Sequence, residues 1–159
     1  MRIVNQSEVS VEHRKSPREV FEVLRKHVSV ALGGIRDVGP WGGGHPFDVE
    51  IARIPPKKKG YPYHFHAAQT EYYVVLAGTG FVVDGTGTCT PIKPGDHFIF
   101  IPGEAHQIAN DSMEDLVYLV IADNHRADVT TYPNTGKRMI KPEMLCIRPV
   151  ETDYYENEE

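Results

Sequence analysis

The chain has 159 residues, a formal net charge of −5 and no basic stripe, which argues against nucleic acid as a partner. That length suits one domain with about two thirds of its surface buried, and no apolar run is long enough to span a membrane. The start carries no apolar leader segment. Cys89 and Cys146 stand far apart outside any paired motif, so no disulfide framework is supported and a reducing, cytoplasmic location is expected.

Ser16-Pro17-Arg18-Glu19 joins an N-cap serine, a proline at the first helical position and a glutamate at the third. Apolar residues at 20, 21, 24, 28, 31 and 32 fit one helical face, and Gly33-Gly34 ends the pattern. The pattern predicts a helix over about 17–32, a packing element with no chemistry of its own. Gly39 to Pro46, with four glycines and two prolines around Trp41, reads as a loop. From Phe47 the chain reads as short strands at 47–54, 63–66, 71–77, 80–84, 88–93, 97–101, 105–109 and 116–122. Gly78-Thr79-Gly80 and Asp84-Gly85-Thr86-Gly87 punctuate them as hairpin turns. So many short strands at this spacing predict an all-β sandwich or barrel. Three segments result: 1–44 with the helix, 45–125 with the barrel, and 126–159 ending in an acidic tail.

Four residues carry the chemistry. His64 and His66 are two apart, so on a strand both side chains leave the same face. Glu71 lies an odd number of residues beyond His66, and a turn through Ala67 to Thr70 must return it to that face. His106 comes about 35 residues after Glu71, from a separate strand. Three imidazoles and one carboxylate make a good site for a divalent transition metal. With neutral imidazoles the set carries one negative charge, and an octahedral ion held by it keeps two positions open for a chelating substrate, dioxygen or an activated water. Fe, Mn, Ni, Zn and Cu all accept this ligand set. Beside it, Gln69, Tyr61, Tyr63 and Tyr73 are candidates to face a pocket, with Phe98 and Phe100 as apolar wall; core packing is the competing role for each aromatic. The remaining histidines, His13, His27, His45, His97 and His125, have no partner at ligand spacing. No Ser-His-Asp order, phosphate-binding loop or dinucleotide fingerprint is present.

These blocks resemble the two signature motifs of the cupin superfamily. Gly60, His64, His66, Glu71 and Gly78 match the first, and Gly95, Pro102, Gly103, His106 and Asn110 the second. Gly60 lies nearer to His64 than is usual in the family, and Pro102 adjoins Gly103 instead of preceding it by two. The segment Asp128 to Lys137 is similar to one found after the barrel in a branch of small cupins. The resemblance implies a double-stranded β-helix, a small jelly-roll barrel, with His64, His66, Glu71 and His106 holding one metal ion inside it. It implies an oxygenase, isomerase or lyase acting on a small polar metabolite. The alternative is a non-catalytic module that binds a sugar or carboxylate. A homodimer paired through outer strands is also implied. The turn Lys57-Lys58-Lys59 and the loop at Trp41 are expected at the cavity mouth, where lysines would attract an anionic ligand.

Overall fold

Alternating inward and outward side chains organise most of this chain, and they do so earlier in the sequence than the helix expectation allows. The computed structural model describes residues 1–158. Its elements are β1 (Val11–Lys15), β2 (Glu22–His27), a single helical turn α1 (Val28–Ala31), β3 (Phe47–Ile54), β4 (Phe65–His66), β5 (Glu71–Ala77), β6 (Gly80–Val83) and β7 (Cys89–Ile92). They continue with β8 (His97–Phe100), β9 (Gln107–Ala109), β10 (Leu116–Asp123), β11 (Asp128–Tyr132), β12 (Lys137–Lys141) and β13 (Leu145–Ile147). Three sheets form, in the orders β1-β2-β3-β10-β5-β8, β13-β12-β11-β4 and β7-β6-β9. Among the described residues they do not close into one hydrogen-bonded barrel. The architecture is the all-β jelly roll of a double-stranded β-helix.

The core lies between the sheets. Ile54 and Leu116 are fully buried, and Val23, Val75, Tyr73 and Tyr118 pack with them. On β5 the residues Glu71, Tyr73 and Val75 face inward while Tyr72 and Leu76 face outward, as the period of two requires. Gly78 ends this strand at a positive φ of 74°, where a Cβ would also clash with the carbonyl of Asp115.

The helix expected over 17–32 is corrected: only Val28–Ala31 is helical, and Glu22–His27 is a strand. Ser16 does not cap a helix. Its N–H donates to Phe21 O at 2.9 Å and its Oγ accepts the Phe21 N–H at 3.1 Å, closing the hairpin between β1 and β2. The strand then pairs on both sides, with β1 and with β3. Its inward residues are Val23 and Arg25, both nearly inaccessible. An inward arginine disguises the alternation, and tertiary pairing overrides a short run's helical spacing. The segment after Asp123 also carries more structure than expected, since β11 pairs with β4 and with β12.

Candidate metal centre and its cavity

His64 and His106 lie directly opposite each other in an antiparallel bridge, held by backbone bonds of 3.1 and 2.8 Å. Directly opposed residues project to the same face, so the two rings sit 4.7 Å apart between centroids. His66 is on β4, in the sheet with β11, whereas Glu71 opens β5 in the six-stranded sheet. Residues 67–70 carry the chain from one sheet to the other, and this crossing solves the parity problem between His66 and Glu71.

Each imidazole is oriented by a bond at Nδ1. His64 Nδ1 lies 2.7 Å from Pro62 O, His66 Nδ1 lies 2.6 Å from Asp128 Oδ2, and His106 Nδ1 lies 3.0 Å from Glu104 O. Two of these partners are carbonyls and the third a carboxylate, all acceptors, so Nδ1 carries the proton in each ring. The lone pair of Nε2 is left free in all three, the tautomer that metal ligation needs. Phe100 stacks flat on His106 at 3.9 Å and fixes that ring from behind.

The donor atoms converge. One ligand atom from each of His64, His66 and Glu71 lies within 4.8 Å of the others. His106 Nε2 is 3.0 Å and His66 Nε2 is 3.9 Å from Glu71 Oε2. Atoms bound about 2.1 Å from one ion stand roughly 3.0 Å apart at right angles and roughly 4.2 Å apart when opposite. The two separations from Glu71 match ligands of a shared ion, while the group whose atoms are all within 4.8 Å of one another is His64, His66 and Glu71, without His106. His106 Nε2 and Glu71 Oε2 are close without hydrogen-bond geometry, and both are buried with no other partner among the described residues. Two acceptor atoms facing each other in a buried site fit a cation between them.

The electrostatics agree. Burial pushes the His64 imidazole down to about 4, reinforced by His106, so it stays neutral. Burial would raise the Glu71 carboxyl, but positive charge placed beside it, which a protonated His106, His66 or His64 supplies without metal and a cation would supply in their stead, holds it down to about 2. Asp128 behaves likewise: burial opposes ionisation, while His66 and the N–H of Ala68 hold it down to about 2.

The donors open onto a cavity of about 220 Å³ between the sheets, lined by His64, His66 and Glu71. Gln69, Tyr61 and Tyr73 line it; Gln69 is held by its Nε2 bond to Asp123 O at 2.7 Å. Tyr63, Phe98 and Phe100 are not among its lining residues. Tyr63 donates to Asp84 O at 2.9 Å, and Phe98 stacks on Tyr73 at 5.0 Å, behind the wall. The lysine turn is corrected too. Lys57 and Lys58 bond the carbonyls of Asp111 and Glu19, and neither they nor Lys59 nor Trp41 reaches the cavity. The cations that do line it are Arg14, Arg25, Arg36 and Lys141.

Sequence reasoning missed this second group and also Asp128. Arg25 Nη2 meets Glu12 Oε2 at 2.7 Å and Arg25 Nη1 meets Glu50 Oε2 at 3.4 Å. His27 bridges the same two carboxylates, at 2.5 Å and 2.7 Å. Arg14 and Arg36 also pair with Glu12, and Lys141 pairs with Asp37. These residues come from opposite ends of the chain, and no local spacing links them.

A family model described as Cupin domain matches residues 50–122. Among solved structures, a provisionally assigned sugar phosphate isomerase from Acidithiobacillus ferrooxidans is 28% identical, with a TM-score of 0.73 and 92% of each chain covered. A sugar phosphate isomerase of the cupin superfamily from Silicibacter pomeroyi is 20% identical, with a TM-score of 0.76, over 95% of this chain and 98% of that one. A predicted oxalate decarboxylase from Thermotoga maritima is 26% identical, with a TM-score of 0.60, over 77% of this chain and 99% of that one. No curated protein matches the chain.

Proposed function

The chain belongs to the cupin superfamily, and from that premise we propose that it is a metal-dependent enzyme, an isomerase acting on a small anionic sugar-like metabolite. His64, His66, Glu71 and His106 hold one divalent transition ion, of which Fe, Mn, Ni, Zn and Cu all suit the ligand set. The observation that carries this is the state of the three imidazoles: every Nδ1 is engaged by an acceptor, and Nε2 is left facing the Glu71 carboxylate. The isomerase reading is supported by the 28% identity over most of both chains to the Acidithiobacillus ferrooxidans structure. The cavity size suits a metabolite of a few carbons.

A bound divalent ion would supply Lewis-acid polarisation of a substrate oxygen. The chain's own residues do the rest. Asp128 keeps His66 in its ligating tautomer. Ala52, Val120 and Ala122 give the cavity apolar wall that limits water. Burial, with the Glu71 carboxylate adding to it, holds the Tyr73 phenol well above its usual range, so it keeps its proton beside that carboxylate.

Elemental analysis of protein purified without chelator should find about one transition metal per chain, lost in His66→Ala. Full occupancy in the double variant His64→Ala, His106→Ala would place the metal elsewhere. Incubation of the loaded protein with aldose and ketose phosphates in D2O should put deuterium on the carbon next to the carbonyl. Oxygen uptake by the Fe(II) form would select an oxygenase instead. Ligand-induced thermal stabilisation without turnover would select the non-catalytic binder.

The expected homodimer and the reducing cytoplasmic location belong to the same proposal. Leu76, Ile99 and Ile101 leave the outer face of the six-stranded sheet about half exposed, which supports pairing with a second copy. Cys89 and Cys146 are both free, which supports a reducing compartment. Light scattering should give twice the mass of the chain, falling to the monomer in Ile99→Arg.

A further inference from the structure

Two buried donors near the cavity remain unexplained by the metal proposal. Among the described residues Arg25 Nε and the Tyr61 hydroxyl have no hydrogen-bond partner, and both residues line the same cavity as His64, His66 and Glu71. Arg25 is only 6% exposed. Its guanidinium is tethered through Nη1 and Nη2 to Glu50 and Glu12, so it cannot swing out to water. The guanidinium carbon stands 5.7 Å from the centroid of the Tyr61 ring, yet the two unpartnered groups do not satisfy each other. Tyr61 is anchored through its carbonyl, which accepts the Gln107 Nε2–H at 2.8 Å.

The chemistry of the pair is one-sided. A guanidinium can only donate. Burial pushes the Tyr61 phenol up to about 12, so at neutral pH it also carries its proton. The other cations of the lining are already spoken for: Arg14 and Arg36 by Glu12 at 2.8 and 3.2 Å, and Lys141 by Asp37 at 2.9 Å. Arg25 Nε and the Tyr61 hydroxyl are thus two buried donors, and together they call for a group rich in lone pairs.

We infer that Arg25 and Tyr61 form an oxyanion-binding pair in the cavity wall, which takes a carboxylate or phosphate oxygen of the substrate while the metal end takes another part of it. This rests on reading the cavity as a small-molecule site. It assigns the substrate a negatively charged group set apart from the atoms that react. It also assigns Arg25 two jobs: two of its nitrogens hold the N-terminal strands through Glu12 and Glu50, and the third faces the ligand.

Titration calorimetry on the full-length, metal-loaded protein with inorganic phosphate, and in parallel with acetate, tests it. At least one anion should bind; preference for phosphate assigns a phosphate ester and preference for acetate a carboxylate. Tyr61→Phe should weaken that binding about tenfold while leaving the thermal midpoint equal or higher, because it removes a buried hydroxyl that has no partner. Arg25→Lys keeps the charge for Glu12 and Glu50 but removes the Nε–H, and it should weaken binding similarly. The pair is overturned if neither anion binds, if both variants bind as wild type does, or if Tyr61→Phe lowers the thermal midpoint. The same titration on His106→Ala separates the two proposals. Binding lost there but intact in Tyr61→Phe puts the anion on the metal and overturns the pair alone. Protein that takes up no divalent metal when it is supplied, yet binds phosphate in a Tyr61-dependent way, sinks the metal reading and upholds the pair.

Discussion

The two ends of the cavity are built on opposite principles. At the metal end, acceptors face one another: His106 Nε2 and Glu71 Oε2 are 3.0 Å apart and share no hydrogen bond. At the far end, Arg25 and His27 are each clasped by Glu12 and Glu50. One cluster is incomplete in charge and the other is balanced within itself. A buried cluster of like acceptors gives up stability for binding, whereas a compensated ion network holds two strands to a sheet. The two should therefore respond to substitution in different observables.

The largest effect is expected where the balanced network is broken. Arg25→Met leaves Glu12 and Glu50 without their buried partner and should cost about 3–5 kcal/mol in urea unfolding, with metal content unchanged. A loss of metal in that variant would show that the two ends are not separable. Next comes Asp128→Asn. The Oδ2 that now accepts from His66 and the Oδ1 that accepts from Ala68 cannot both remain acceptors. Metal affinity should fall about 10–100-fold, read by competition with a chelator, while the unfolding midpoint of the metal-free protein moves little.

The smallest effect is a pH dependence that belongs to the far end alone. The Glu50 carboxylate raises the His27 pKa; burial opposes it, and Glu12 adds to Glu50 while Arg36 detracts. A histidine raised on folding contributes stability that is complete below its unfolded value, about 6.5, and is lost as pH rises through its folded value. Wild-type protein should accordingly lose stability relative to His27→Gln as pH rises above about 6.5. Parallel curves for the two would mean that Glu12 and Glu50 are satisfied by arginine alone.

The same contrast explains what could be read from the sequence. The metal end is coded locally: His64, His66 and Glu71 fall within eight residues, and His106 sits in a second compact block. Strand alternation from Phe47 to Asp123 is equally local, and the eight predicted strands correspond to β3 through β10. The far end draws on residues 12, 25, 27, 36, 50 and 141, which only the completed fold brings together. Arg25 misled in a second way. A charged residue is normally assigned outward, so its inward position made Glu22–His27 look helical. Asp128 was equally hidden, since nothing in its neighbourhood announces that it faces His66 across β4 and β11.

The position of the four donors has a mechanical consequence. Glu71 belongs to the six-stranded sheet, His66 to the sheet of β11–β13, and His106 immediately precedes β9 of the third. The sheets share no continuous ladder of hydrogen bonds, so an ion at this junction would act as a rivet through all three layers. Its affinity would then be part of the cohesion of the fold, rising with the supply of free metal around the protein. Starved of metal, the chain would keep its strands yet let the layers breathe, and amide protons beside the seam would exchange long before those inside each sheet.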